Sequence, residues 1–411
     1  MASSSTSALA AAAQAVAKSA TTAATAATAA TAAFQPRQSY EVSASITRSY
    51  FLGHHHAALN RMRQTLSNVG LIIECRDFRV PLSSWNPLLE RSVAASPAER
   101  ARIIVYTKRD LGPPGRISND KGSTNNRQTG PEVVQALKDF HEKHRHAKAV
   151  IFLGAGHEDA NSGRHLLEAI KRVAREANSL TGMRAMVVGM PNAGKSTLLN
   201  KMRARGMGLP KAARTGAQPG VTRKMGTPVR IVKGEAAGTP DTDGMGEGVF
   251  IMDTPGVFVP YVASAEDMLK LSLVGCVKDG LISSVTVADY LLYHLNLADP
   301  TLYKEFCAVP TNDVHVFLRG VAMRTGKLRK GHEPSLEAAA DWIVQEWRRG
   351  ELGRFLLDEI TPETLSGAVE AANSPALSLN QARKKEKVER KEKNDLKRAG
   401  VSPGQLANNA N

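Results

Sequence analysis

The stretch Gly189-Met190-Pro191-Asn192-Ala193-Gly194-Lys195-Ser196 lies between the apolar run Ala185-Met186-Val187-Val188 and the helix-like Thr197-Leu198-Leu199-Asn200. A strand, a glycine-rich turn and a helix in that order make a phosphate-binding loop. The glycines let the backbone curl so that its N–H groups point at phosphate oxygens, and the helix N-terminus adds positive potential. Lys195 then neutralises the outer phosphates, and Ser196 holds Mg²⁺. A nucleoside triphosphate is the expected ligand, contacted by Gly189, Pro191, Asn192, Ala193, Gly194, Lys195, Ser196 and Thr197. The loop by itself leaves the base open.

Five further apolar runs recur with helical stretches between them: Leu71-Ile72-Ile73-Glu74-Cys75, Arg102-Ile103-Ile104-Val105-Tyr106, Ala149-Val150-Ile151-Phe152-Leu153, Val229-Arg230-Ile231-Val232 and Val249-Phe250-Ile251-Met252. Runs of this kind suit strands buried on both faces of a mostly parallel sheet. The expected fold class is therefore α/β, a doubly wound sheet of six strands whose ligand groups gather at the carboxyl ends.

The other motifs fall at such ends. Asp253-Thr254-Pro255-Gly256 follows the last run; an aspartate there reaches Mg²⁺, and the Gly256 amide meets the γ-phosphate. Between the two loops, Gln218-Pro219-Gly220-Val221-Thr222-Arg223 offers the Thr222 hydroxyl to Mg²⁺ once a γ-phosphate is present. Guanine needs a carboxylate to accept its N1–H and exocyclic N2–H₂, a donor pair that adenine lacks. Thr107-Lys108-Arg109-Asp110 supplies Asp110 for that task, with the Lys108 stem along the base, and Gly154-Ala155 follows the neighbouring strand run. In the usual order of such enzymes the phosphate loop comes first and the guanine motif last. Here the guanine motif precedes the phosphate loop, so the domain is read as a circularly permuted Ras-like one, which closely spaced domain termini allow.

The chain has 411 residues, room for two domains with cores of their own. Its formal charge of +15 points to a polyanionic partner, with nucleic acid first. Three well-separated cysteines, Cys75, Cys276 and Cys307, make neither a disulfide framework nor a zinc spacing. Residues 1–48, rich in Ala, Ser and Thr with Glu41 as their one acid, read as a transit-peptide-like segment outside the fold. The expected GTPase domain spans 49–262 and a small all-α domain spans 263–362. Residues 363–411 are expected to form a basic tail, disordered or conditionally helical, with Arg383–Arg398 holding nine basic and four acidic residues. No apolar run approaches the roughly 20 residues that span a bilayer.

Phe51-Leu52-Gly53-His54, Asp77-Phe78-Arg79-Val80-Pro81-Leu82-Ser83-Ser84-Trp85-Asn86-Pro87, Arg348-Arg349-Gly350-Glu351-Leu352-Gly353-Arg354-Phe355 and the permuted motif order together resemble the circularly permuted ribosome-assembly GTPases. The resemblance runs from about Tyr50 to Ile360. It implies GTP hydrolysis tied to late assembly of the large ribosomal subunit, in mitochondria given the N-terminal segment, with the helical domain on ribosomal RNA. It implies a monomer in the matrix, without DNA, and leaves a peripheral contact with the inner membrane open. Val257 stands where Ras-like enzymes place a water-orienting glutamine, and the family's N-terminal histidine, matched by His54, is implied for that role. Catalysis would then fall to His54, Lys195 and Thr222, and Mg²⁺ to Ser196, Thr222 and Asp253. Asn192 is also found in GTPases that use K⁺ in place of an arginine finger. The sequence departs from the family pattern at Thr107, where Asn is usual, and at Gly154-Ala155, where a small polar residue is usual. Two other readings stand beside this one: a GTP-binding ribosome-associated protein with little hydrolysis, and a P-loop kinase or ATPase acting on a small substrate.

Overall fold

The computed structural model describes residues 34–43, 46–48, 53–94, 100–115, 128–144, 147–155, 157–213, 215–216, 222, 226–235, 244–258, 262 and 264–373, with single positions at 381, 384, 387, 388 and 391. The chain divides into two compact units, one of residues 42–282 and 354–411, the other of residues 283–353 with the N-terminal segment up to Glu41.

The larger unit holds the sheet. Its strands are β1 (Leu71–Asp77), β2 (Ala101–Thr107), β3 (Ala149–Phe152), β4 (Met183–Gly189), β5 (Val229–Val232) and β6 (Val249–Asp253), in the spatial order β3-β2-β1-β4-β6-β5. All neighbours run parallel except β5, which is antiparallel to β6. Each expected apolar run is a strand. The chain builds outward from β1 through β2 to β3, then returns to the other side of β1 as β4. Strand order reverses between β1 and β4, and a doubly wound sheet opens its ligand crevice at that point.

Helices cover both faces. α1 (Gly53–Leu66) and α2 (Pro87–Ala94) bury Leu59, Met62, Leu66 and Leu89 against Ile72, Met186, Val188, Met252 and Val257. α3 (Gly130–Lys143) contributes Val133, Leu137 and Phe140 to a second cluster with Phe78, Trp85, Ile104, Tyr106 and Phe152. A capping box starts α3: the Thr129 side chain accepts from the Glu132 N–H, while the Glu132 carboxylate accepts from the Thr129 N–H at 2.7 Å. α4 (His157–Ala177) leads back to β4, and α5 (Lys195–Met207) follows the phosphate loop. Purely apolar burial is not the whole account of β1. Glu74 and Arg76 are buried there, and with Arg102 of β2 and Glu90 of α2 they form an ion-pair network.

The expected boundaries at 263 and 362 shift. α6 (Ala265–Leu273), capped by the Ser264 side chain on the Glu266 N–H, buries Met268, Leu269, Leu271 and Leu273 and stays with the sheet-bearing unit. The chain rejoins that unit at Arg354. The supposed tail also begins inside the fold, because Ile360, Leu365 and Ala372 join the Phe78 cluster. Leu365 and Ala372 belong to α10 (Pro362–Asn373). These apolar positions have a ready-made face to cover.

The smaller unit packs α7 (Ser284–Ala298), α8 (Val314–Thr325) and α9 (Leu336–Arg349) around Tyr290, Tyr303, Phe317, Ile343 and Trp347. Part of the segment excluded from the fold belongs to it. Arg37 pairs with Asp289 at 2.8 Å, the Tyr40 hydroxyl donates to the same carboxylate at 3.0 Å, and the Tyr40 ring meets Tyr290 edge-on at 5.0 Å.

Candidate functional site

The carboxyl ends of β2, β1, β4 and β6 bring the motifs together. At the end of β4 the phosphate loop turns through Asn192 (φ 56°) and Gly194 (φ 82°), both left-handed, before α5 begins at Lys195. Lys195 is buried, with its ammonium donating to the Gly189 and Met190 carbonyls at 3.2 and 2.6 Å. Burial pushes its pKa down, although Asp253 nearby favours the charge. In this position the ammonium closes the loop on itself.

The three expected Mg²⁺ ligands converge. The Ser196 hydroxyl donates to Asp253 Oδ2 at 2.5 Å and lies 3.1 Å from the Thr222 hydroxyl. Asp253 is 4% exposed, and among the described residues its Oδ1 has no hydrogen-bond partner. Burial pushes its pKa up. A buried carboxylate oxygen left unpaired beside two hydroxyls is an all-oxygen donor set suited to a small hard cation. Mg²⁺ therefore fits these residues. Among the flanking residues, 217–221 and 223–225 lie outside the described ones.

After β6, Gly256 comes so close to the phosphate loop that a Cβ on it would stand 2.5 Å from Pro191 Cα. Only glycine admits that approach, which sets the Gly256 backbone beside the phosphate loop. Val257 turns the other way, into the cluster with Leu59, Met62 and Val188, so its side chain cannot reach attacking water. The same cluster anchors α1, whose first turn carries His54. The side chains of residues 53–56 lie outside the described ones.

The guanine motif is held by the phosphate loop. Thr107, at the end of β2, donates its hydroxyl to the Ala193 carbonyl at 3.0 Å and also lies 3.2 Å from the Arg76 carbonyl. Thr107, where Asn is usual, thus bonds the phosphate loop directly. Lys108 is left-handed (φ 58°) and caps the short turn Arg109–Leu111, and its ammonium bridges Asp77 Oδ2 at 2.8 Å and the Asn192 carbonyl at 2.9 Å. The Arg109 N–H donates to the Leu153 carbonyl at 2.9 Å, tying this loop to the one after β3. There a Cβ on Gly154 would stand 3.2 Å from Asp110 Oδ1, so the small residue makes room for the Asp110 carboxylate. Lys201 donates to the Gly154 carbonyl at 3.2 Å. Asp110, Gly154 and Ala155 also line a cavity of about 480 Å³. Gly189 ends β4, and Pro191, Asn192, Ala193, Gly194, Ser196 and Thr197 lie on the loop or the first turn of α5. The Asn192 amide group donates to the Gly275 carbonyl at 2.7 Å.

Sequence reasoning gave no role to Asp77 and Arg79. Arg79 clasps Asp77 with Nε at 3.0 Å and Nη2 at 2.8 Å. Burial opposes the charge on Asp77, yet Arg79 and Lys108 hold its pKa well below the usual carboxylate range. Asn86 was missed too; its amide donates to the Val257 carbonyl at 2.7 Å. These three lie in the 77–87 stretch already singled out for its resemblance, and that stretch was the available signal.

A phosphate loop on β4, a DxxG turn after β6 and a guanine motif after β2, met in permuted chain order on one crevice, define a circularly permuted GTPase. Residues 184–302 match the family model described as "50S ribosome-binding GTPase". The chain is 35% identical over 334 residues to Mitochondrial GTPase 1 of Schizosaccharomyces pombe, covering 81% of this chain and 95% of that protein. It is 30% identical to the Mitochondrial ribosome-associated GTPase 1 of Xenopus tropicalis, over 78% and 98% of the two chains. Among solved structures, GNP-bound YlqF from T. maritima is 20% identical, covers 74% of this chain and 98% of that one, and has a TM-score of 0.43. The chain belongs to the mitochondrial GTPase 1 family, and it is a GTP hydrolase.

Proposed function

We propose that this GTPase acts in mitochondria on the large ribosomal subunit, with GTP favouring docking on ribosomal RNA late in assembly and hydrolysis favouring release. The observation that carries the nucleotide half is the convergence of Ser196, Thr222 and Asp253, whose Oδ1 has no partner among the described residues, beside Lys195. Loop amides and Lys195 hold the phosphates while charge spreads over the γ-phosphoryl group in a loose transition state. Ser196, Thr222 and Asp253 would hold Mg²⁺, which would supply charge neutralisation to the phosphates. With Val257 buried, the in-line water must be oriented by another group, and His54 at the start of the anchored α1 is the proposed one.

The surface of the helical unit supports the RNA half. α8 exposes His315, Val316, Arg319, Met323 and Arg324, and Met323 is 61% exposed. The turn that follows is an ordered hairpin. Arg329 N–H donates to Glu333 O and Ser335 N–H to Lys327 O, both at 2.8 Å, and the tip exposes Lys330 and His332. Cations with interleaved apolar side chains suit a phosphate backbone with stacked or splayed bases. The relatives' names, mitochondrial and ribosome-associated, agree with this reading.

The test is GTP turnover by the full chain with and without mitochondrial large subunits in K⁺ buffer, with small subunits as control. Stimulation by large subunits alone is expected, and His54→Ala should remove it. Equal rates with and without large subunits would refute the proposed partner. K⁺ beside Asn192 is part of the proposal; identical turnover in Na⁺ at equal ionic strength removes that part.

A further inference from the structure

Asp358, on the chain segment that re-enters the sheet-bearing unit after the helical one, is only 6% exposed; its hydrogen-bond and ion-pair partners are donors, and the Asp267 carboxylate of α6, which shares Ser83 and Lys270 with it, is its neighbour of like charge. Its Oδ2 accepts from the Leu82 and Ser83 N–H groups at 2.9 and 2.8 Å. Its Oδ1 accepts from the Ser83 hydroxyl at 2.5 Å and faces the Lys270 ammonium of α6 at 3.3 Å. Beside it the Leu357 N–H donates to the Arg79 carbonyl at 2.9 Å. The loop 79–84 is thus fastened from outside at both ends. From that loop Arg79 holds Asp77, Asp77 holds Lys108, and Lys108 reaches the Asn192 carbonyl of the phosphate loop. The path also closes on its other side, because the Asn192 amide donates to Gly275, just beyond α6, and α6 carries Lys270 back to Asp358.

We propose that Asp358 is a positioning residue for guanine-nucleotide binding, acting through the loop 79–84 and Asp77 on Lys108. The physical need lies at Lys108. A lysine in the left-handed region is strained and persists only where its surroundings hold it. Asp77 and the Asn192 carbonyl hold the Lys108 ammonium, and that fixes the turn bearing Asp110. Asp77 is fully buried, so its orientation follows Arg79 and the loop, and the loop follows Asp358. A neutral amide at 358 keeps the size of the side chain but turns an N–H₂ toward groups that are themselves donors.

The inference rests on Lys108 belonging to the guanine loop, and a double-mutant cycle separates the two ideas. Affinity for fluorescently labelled GDP is measured for the full chain as wild type, Asp358→Asn, Lys108→Met and the double variant. Asp358→Asn is expected to weaken binding about tenfold, and Lys108→Met at least as much, with the double variant no weaker than Lys108→Met alone. Lys270→Met, which removes one 3.3 Å partner, serves where Asp358→Asn fails to fold; a loss of about threefold that disappears in the Lys108→Met background is expected. Losses that multiply in the double variant, as a general loosening of the fold would give, overturn the proposal. Wild-type affinity in Asp358→Asn with Lys108→Met impaired overturns the relay alone. Wild-type affinity in Lys108→Met overturns the guanine-loop assignment and the relay together.

Discussion

Thr107→Val tests whether the guanine motif and the phosphate loop are physically one device. Valine matches threonine in shape, so no cavity opens and the change isolates the hydroxyl. That hydroxyl serves the Ala193 and Arg76 carbonyls at 3.0 and 3.2 Å, and Thr107 is 6% exposed. The hydroxyl's single proton makes one such bond at a time, worth about 1 kcal/mol net, and its loss also leaves a buried carbonyl without this donor, so the variant should lose about 1–2 kcal/mol of stability. For a unit of this size that corresponds to a melting temperature lower by roughly 2–8 °C. Only the Ala193 bond reaches the nucleotide loop, so about 1 kcal/mol, or roughly fivefold, should appear as weaker GDP binding. Thr107→Asn should restore much of the affinity if the side chain can reach Ala193. Melting followed by circular dichroism and titration with fluorescent GDP read the two effects separately. A variant that melts like wild type and binds GDP equally well would falsify the coupling.

Gly154→Val should reduce the preference for GTP over ATP at least tenfold, because even a Cβ there would stand 3.1–3.3 Å from Asp110 atoms; unchanged discrimination in a competition assay would remove Asp110 from the base site. Asp253→Asn should raise the melting temperature of the nucleotide-free protein, since an unpaired buried oxygen no longer carries charge, while abolishing the Mg²⁺ dependence of GTP binding. A lower nucleotide-free melting temperature or a retained Mg²⁺ dependence counts against the site. Glu74 is held down to about 2 by Arg102 and Arg76 against its burial, from an ordinary 4.5. A depressed acid contributes stability above its unfolded pKa and loses it as pH falls through the folded one. Denaturation by urea should therefore show stability falling between pH 4.5 and 2, with a flatter profile in Glu74→Gln; parallel profiles would count against the network.

Much of the site was legible in sequence because its parts are local. A phosphate loop is contiguous, its strand and helix flank it, and the order of three short motifs was enough to reveal the permutation. The inner strands β1, β2, β4 and β6 were legible for the same reason, because burial on both faces imposes a pattern that no polar surface strand shares; β3 and β5, at the sheet edges, are only partly buried. The domain boundaries were harder. α6 has the amphipathic face of any helix, and sequence does not say which core that face covers; the apolar positions of α10 likewise became visible as core only once the Phe78 cluster was present to receive them. Residues 34–41 looked like the rest of a low-complexity arm, yet Arg37 and Tyr40 find Asp289 on a helix some 250 residues away.

The amino-acid sequence by itself determined the nucleotide chemistry, the sheet and the permuted order, since each depends on residues adjacent along the chain. Tertiary structure decided what holds that chemistry in place. Thr107 against Ala193, Lys108 between Asp77 and Asn192, and Asp358 against Leu82 and Ser83 join residues from 31 to 276 positions apart. Hydrogen bonds act over about 3 Å, and only the folded chain brings such distant donors and acceptors within that reach.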